Sequence, residues 1–237
     1  DFSIFRVYAG EDNEPAAYSE KNVPYRPKKF FKINARGIKE GDFTMVYGFP
    51  GSTREYLFSD AVKYTAYTSN PHKIALRTLR LNIQKEEMNK DQAVRIKYAS
   101  KQASVANAWK KWQGEAKGII KNHAVENKQA FEAKFAEWAK GKPEYEGLVE
   151  RFKELYGSIE ELSLVQDYQT EALNAVEIIG FAGRGQRGAE KFHKDYYMPI
   201  DKACFIALYN AYNKNIADKY KSPYFKEQLQ KFGSIEA

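Results

Sequence analysis

Cysteine is almost absent from this chain. The single Cys204 excludes an internal disulfide and any cysteine-based metal site, and its neighbours Phe205, Ile206 and Leu208 predict a core position. Histidine is scarce too. His72, His123 and His193 stand far apart, without the spacing of a ligand set, and no metal or other cofactor is implied. No uninterrupted apolar run approaches the ~18 residues that cross a membrane, and nothing resembles a signal peptide. A Gly-x-Ser-x-Gly turn, which would expose a serine nucleophile, is missing as well. Blocks of one charge are also lacking: Lys and Glu alternate from Lys73 to Lys231, so the net charge of +7 reads as the solvated surface of helices rather than a nucleic-acid face.

What is present is a globular composition, 43% hydrophobic and 15% aromatic over 237 residues, enough for a substantial core. Residues 1 to 54 read as β structure and loop. Phe2 to Tyr8 is rich in strand formers, the stretch from Gly10 to Pro27 is a polar loop, and Phe43-Thr44-Met45-Val46-Tyr47 predicts a second strand. Pro50-Gly51 suits the centre of a type II turn. The chain opens Asp1-Phe2-Ser3-Ile4, strand-like at once and without an initiator Met, which reads as a piece of a longer polypeptide. So few strands cannot close a core alone.

From about Ser59, through residues 55 to 237, the pattern is helical. Asn70-Pro71 predicts an N-cap followed by proline in the first turn, and Ile74, Leu76, Leu79, Leu81 and Ile83 follow at helical spacing. A long helix is predicted from about Asp91 to His123, with Val94, Tyr98, Val105, Trp109 and Trp112 along one side. Gly141-Lys142-Pro143 ends the next helix, Ser158-Ile159-Glu160-Glu161 predicts a capping box, and Ser222-Pro223 opens a last short helix. The fold class is therefore mostly α, with about seven helices and no βαβ alternation.

Two motifs carry possible chemistry. Gly183-Arg184-Gly185-Gln186-Arg187-Gly188 matches G-x-G-x-x-G, but a dinucleotide site needs a strand before it, and the preceding Leu162, Val165, Leu173, Val176 and Ile179 keep helical spacing. A basic inter-helix loop is the better reading. Its Arg184 and Arg187 with Lys191 could hold an anion, and the basic loop from Arg184 to Lys194 makes one alternative for the whole chain: a non-enzymatic helical module docking an acidic partner. The second motif is Ala106-Asn107-Ala108-Trp109-Lys110-Lys111-Trp112. Both tryptophans fit one helix face as core anchors, while Asn107, a weak helix former, reads as a buried polar contact or, alternatively, a ligand contact.

Gly41-Asp42-Phe43-Thr44-Met45-Val46-Tyr47-Gly48-Phe49-Pro50-Gly51-Ser52-Thr53, together with Asp1-Phe2-Ser3-Ile4-Phe5-Arg6-Val7-Tyr8, the Ala106 to Trp112 motif and Lys194-Asp195-Tyr196-Tyr197-Met198-Pro199-Ile200-Asp201-Lys202, resembles one family in chain order. It is that of the bacterial serine exopeptidases dipeptidyl-peptidase 7 and dipeptidyl-peptidase 11. The resemblance implies a chymotrypsin-like double barrel with a helical domain inserted over the cleft, a Ser-His-Asp triad, and release of dipeptides from peptides with a free amino end. It also implies a periplasmic or cell-surface homodimer. Residues 1–54 would be the end of the first barrel and 55–237 the inserted domain. Asp1 falls at the triad aspartate, which would accept from the imidazole and stabilise its charged form. Asn107 falls at an asparagine that helps hold the substrate's amino group. The family's catalytic His lies before this stretch and its Ser after it, so this chain alone is expected to be inactive. Its partners would be the peptide substrate and the rest of the peptidase chain, with no nucleic acid and no membrane span.

Overall fold

The computed structural model describes residues 4–45, 47–48, 51–183 and 189–237, without the side chains of Glu190 and Lys191. The chain divides into two compact units, Asp1–Thr53 and Arg54–Ala237.

In the first unit the only regular structure among the described residues is a two-residue antiparallel pair, β1 (Tyr8–Ala9) with β2 (Val23–Pro24), in register Tyr8 to Pro24 and Ala9 to Val23. The connecting loop is closed by Asn13 in the left-handed region, φ 67°. Its side-chain amide accepts from Arg26 N at 2.7 Å and donates to Arg26 O at 3.1 Å, standing in for a strand neighbour. Among the described residues, the broader strands read from the sequence are not formed apart from Tyr8. Residues 4–7 and 43–45 are irregular, because strand propensity is realised only where a second backbone supplies donors and acceptors. The pairing stretch Val23–Pro24 lies instead within the segment read as loop. Val46, Phe49 and Pro50, and with Pro50 the proposed turn, lie outside the described residues. Among those described, only Ala9 is buried, while Phe5, Phe31, Ile33, Phe43 and Tyr47 are all at least 87% exposed.

The second unit has its own core. A first rod runs α1 (Ser59–Tyr64), a π turn (Thr65–Ser69) and α2 (Asn70–Lys90) without interruption. Asn70 is therefore not an N-cap. Its N–H reaches back five residues to Thr65 O, and the widened turn lets the chain pass Pro71, which lacks an N–H and would crowd the preceding turn of a regular helix. The Asn70 side chain is fully buried and donates to Glu115 Oε2 at 3.0 Å.

Next come α3 (Gln92–Lys121) and α4 (Ala124–Ala139). Asp91 caps α3 by accepting from Ala93 N at 2.7 Å. α4 ends before Gly141, whose φ of +71° reverses the chain at a position that favours glycine. α5 (Leu148–Tyr168) continues into a second π turn, Gln169–Leu173. Ser158 sits mid-helix in α5 rather than at a cap, its hydroxyl donating to Leu155 O at 2.8 Å. The helix starts earlier, after Gly147, so the carboxylates that mimic a capping box lie on its solvent face.

Two short helices, α6 (Glu177–Ala182) and α7 (Ala189–Asp195), precede α8 (Met198–Asn215), a 3₁₀ turn (Asp218–Tyr220) and α9 (Pro223–Phe232). Ser222 caps α9, accepting from Phe225 N at 3.1 Å. The segment before Gly183 is thus helical, which removes the strand a dinucleotide site requires; residues 184–188 lie outside the described part. The core forms where α2, α3, α8 and the second π turn meet, around Leu76, Tyr98, Tyr168, Ala172, Val176, Ile200, Cys204 and Leu208.

The family-like stretch Lys194 to Lys202 has a structural task here. Asp201, buried in α8, accepts from Glu177 N at 2.7 Å and Ile178 N at 3.0 Å, capping α6 from another helix. Lys101 of α3 donates to Glu177 at 2.5 Å and to Asp195 O at 2.8 Å, so a single cluster joins α3, α6, α7 and α8. Removing the carboxylate would strand two backbone donors. Asp201→Ala is expected to destabilise the helical unit by about 2 kcal/mol, read as a lower urea midpoint at unchanged slope; an unchanged midpoint would show that the cap contributes nothing.

Cys204 lies in the core as its neighbours suggested, and burial pushes its thiol up to about 12. At pH 8 the folded protein holds far less thiolate than the unfolded chain. The thiol is therefore expected to ignore a disulfide reagent until urea unfolds the protein, then to react stoichiometrically. Because the folded value lies above the unfolded one, this group's contribution to stability is complete below about pH 9 and declines as the pH climbs towards 12.

Candidate functional site

The turns of α3 from Ser104 to Glu115 are fastened to α2 at four points. Arg77 of α2 donates from Nη1 to Val105 O at 2.9 Å and more weakly to Ser104 O at 3.4 Å. One turn on, Thr78 Oγ1 accepts from Trp109 Nε1 at 2.9 Å. The Trp112 ring lies under two cations, Arg77 at 4.5 Å and Lys73 at 4.7 Å, a contact that gains strength away from water. Asn70 then takes Glu115. Trp109 and Trp112 are partly buried and face α2, as their spacing predicted.

Behind this seam lies a ladder of charges. Lys73, Arg77 and Arg80 share one face of α2, and Asp167 and Glu171 share one face of α5 and its π turn. Arg77 and Glu171 form a two-pronged pair, Nε to Oε2 at 2.8 Å and Nη2 to Oε1 at 2.9 Å. Lys73 approaches Asp167 at 3.9 Å and Arg80 approaches Glu171 at 4.0 Å. Glu171 is only 6% exposed. Burial holds Lys73 below the usual ammonium value, against the pull of Asp167 and Glu171, and depresses Arg80 likewise. Alongside, the Tyr168 hydroxyl meets His72 Nδ1 at 2.8 Å, and burial pushes that phenol up to about 12. Tyr64 donates to Asp167 at 3.0 Å and is raised by its own burial and by that carboxylate.

Asn107 lies on the other side of α3. At 3.6 residues per turn, position 107 is roughly 200° round the helix from 105, so it points away from the seam made by Val105, Trp109 and Trp112. It is exposed, and among the described residues its amide makes no hydrogen bond. The reading of Asn107 as a buried polar contact therefore fails. Asp1 lies outside the described residues, as do Arg184 and Arg187.

The histidines stay apart. His72 is bonded to Tyr168, His123 occupies the left-handed turn between α3 and α4 with φ 51°, and the His193 ring leans on Phe181 and Phe192. Among the described residues no three His, Cys, Asp or Glu side chains gather as a metal site.

Sequence reasoning missed Arg77 and Glu171. A signal existed, since Arg77 and Arg80 interrupt the apolar run Ile74 to Ile83, and Glu171 interrupts Val165 to Val176. Ions on an apolar helix face are rarely left unpaired.

Comparison with known proteins agrees in one direction. The sequence matches the family Peptidase S46 over residues 1–231. It is 48% identical over 174 residues to the Asp/Glu-specific dipeptidyl-peptidase of Capnocytophaga gingivalis, covering 72% of this chain and 24% of that protein. It is 34% identical over 248 residues to dipeptidyl-peptidase 7 of Porphyromonas gingivalis, covering 98% of this chain and 35% of that protein. The solved structure of Porphyromonas endodontalis DPP11 in complex with the dipeptide Arg-Glu superposes with a TM-score of 0.70 at 30% identity, over 98% of this chain and 37% of that one. The chain thus spans about a quarter to a third of the length of these relatives. By sequence and by fold alike, it belongs to the peptidase S46 family.

Proposed function

We propose that this chain is part of a serine-type dipeptidyl-peptidase, and that its helical unit holds the free amino end of the peptide from which dipeptides are released. The observation that carries the reading is the exposed amide of Asn107, without a hydrogen bond among the described residues, on a stretch of α3 whose opposite side is fastened to α2 by Arg77 and Thr78. An amide oxygen accepts a hydrogen bond from an ammonium. An exopeptidase needs such a stop, because a fixed distance from the amino end to the reacting carbonyl is what measures two residues.

Residues 1–54 fit this reading as part of a chymotrypsin-like barrel whose remaining strands come from elsewhere in the polypeptide. The support is their exposed apolar side chains, among them Phe31, Ile33 and Phe43, which behave as one face of a core without its partner. Asp1 then serves as the triad aspartate, accepting from the histidine and stabilising its protonated form during acyl transfer. The histidine and the serine nucleophile belong to the rest of the chain, as do the groups that choose between acidic and other side chains next to the cut. A periplasmic or cell-surface homodimer accords with the family, and among the described residues no helix is long and apolar enough to cross a membrane.

The test uses the full-length peptidase carrying this sequence and dipeptidyl chromogenic substrates. Asn107→Ala is expected to lower kcat/KM by roughly 10- to 100-fold, mainly through KM, the usual loss for a hydrogen bond to a charged group. Asp1→Ala should instead lower kcat by about four orders of magnitude. An unchanged KM in the first variant, or full activity in the second, would remove the corresponding assignment.

A further inference from the structure

The Arg77–Glu171 pair has no part in the chemistry above, yet it bears on the turn that carries Asn107. Glu171 takes the Nε and Nη2 donors of Arg77 in a planar fork, which fixes the guanidinium plane. The remaining edge, Nη1, can then point in one direction only, and it points at the carbonyls of Val105 and Ser104. Those carbonyls lie two and three positions before Asn107 in α3. The guanidinium face rests at the same time against Trp112. One side chain thus ties α2, the second π turn and α3 together, and its contacts on α3 lie on both sides of Asn107 in sequence.

We infer that Arg77, oriented by Glu171, is a positioning residue for peptide binding: it sets the height and rotation of α3 so that Asn107 meets the substrate ammonium in one place. The inference rests on the assignment of Asn107 to that ammonium. Because Asn107 lies roughly 200° round the helix from Val105, the shorter of the two carbonyl contacts of Arg77, a small rotation or slide of α3 at the seam is carried across to the amide. A misplacement of about 1 Å is enough to cost a large part of a binding interaction. Lysine cannot replace arginine here, since one ammonium cannot fill a carboxylate fork and reach a carbonyl on a third element.

The experiment separates positioning from mere support of the fold, using the full-length peptidase. The double substitution Arg77→Met with Glu171→Leu replaces a largely buried ion pair by apolar groups of similar volume, a change that commonly preserves stability, while abolishing the tether to α3; Arg80, 4.0 Å from Glu171, keeps 17% of its side chain in water. It is expected to melt with the parent and to raise KM roughly 5- to 20-fold with kcat within about 2-fold. Added to Asn107→Ala, it should raise KM no further, because both act through one contact. A parental KM in the double variant, or effects that simply multiply with those of Asn107→Ala, would overturn the inference. Should the double variant melt early, Arg77→Lys gives the reading instead: a raised KM supports the inference and an unchanged one overturns it. Asn107→Ala measured alone keeps the two ideas distinct. If it raises KM while both Arg77 variants do not, only the positioning role fails; if it leaves KM unchanged, the amino-end assignment fails and takes this inference with it.

Discussion

The helical unit depends on a partly buried arginine paired with a buried glutamate. Placing Arg77 and Glu171 out of water carries a desolvation cost that a poorly matched pair would not recover. Here the geometry is favourable, with two short parallel hydrogen bonds, a third to a backbone carbonyl and an indole face against the cation. The neighbours follow from this one interaction. Lys73 and Arg80 flank Arg77 on α2, Asp167 and Glu171 supply the opposing charge, and Trp109, Trp112 and Asn70 close the seam towards α3. Each partner's helix carries a π turn, one at Thr65–Ser69 leading into α2 and one at Gln169–Leu173 carrying Glu171 itself. Such turns rotate the residues that follow and are enriched at sites where a side chain must be aimed.

The two units of the chain differ in how they meet the cost of ordering their backbones. The helical unit satisfies its own hydrogen bonds and buries aromatic and aliphatic side chains across four elements. The first unit has one short strand pair and a single buried residue among those described, so its apolar side chains face water. A β segment cannot do otherwise alone, since each strand needs a neighbour. The stability of the two units is accordingly expected to rest on different parts of the polypeptide.

Much of the helical architecture was legible because it is written locally. Asp91, Gly141 and Ser222-Pro223 each mark a helix end by a cap or a positive φ, and the structure has a boundary at each. The failures came where a local signal had a second solution. Asn70-Pro71 looks like a helix start, yet a π turn carries the rod through it and frees Asn70 to bind Glu115. Ser158 looks like a cap, yet Gly147 had already begun the helix. Phe43, Thr44, Met45 and Tyr47 suit a strand, yet among the described residues no strand pairs with them. Asn107 was ambiguous between core and ligand because single-residue propensity says nothing of which way a helix faces. Once Val105, Trp109 and Trp112 are placed against α2, position 107 falls on the exposed side of the helix. Arg77 and Glu171 each stood out as an ion among apolar helix positions, but their pairing was out of reach because they lie 94 positions apart and no local pattern spans that distance.

The central claim is that the exposed face of α3 receives the charged beginning of a peptide. It is tested most directly by a crystal structure of the full-length peptidase with a bound dipeptide. The account predicts the Asn107 amide oxygen within about 3 Å of the dipeptide nitrogen, with Arg77 still joined to Glu171 and Val105. A dipeptide whose amino group is held by other residues, with Asn107 left in solvent, would contradict it.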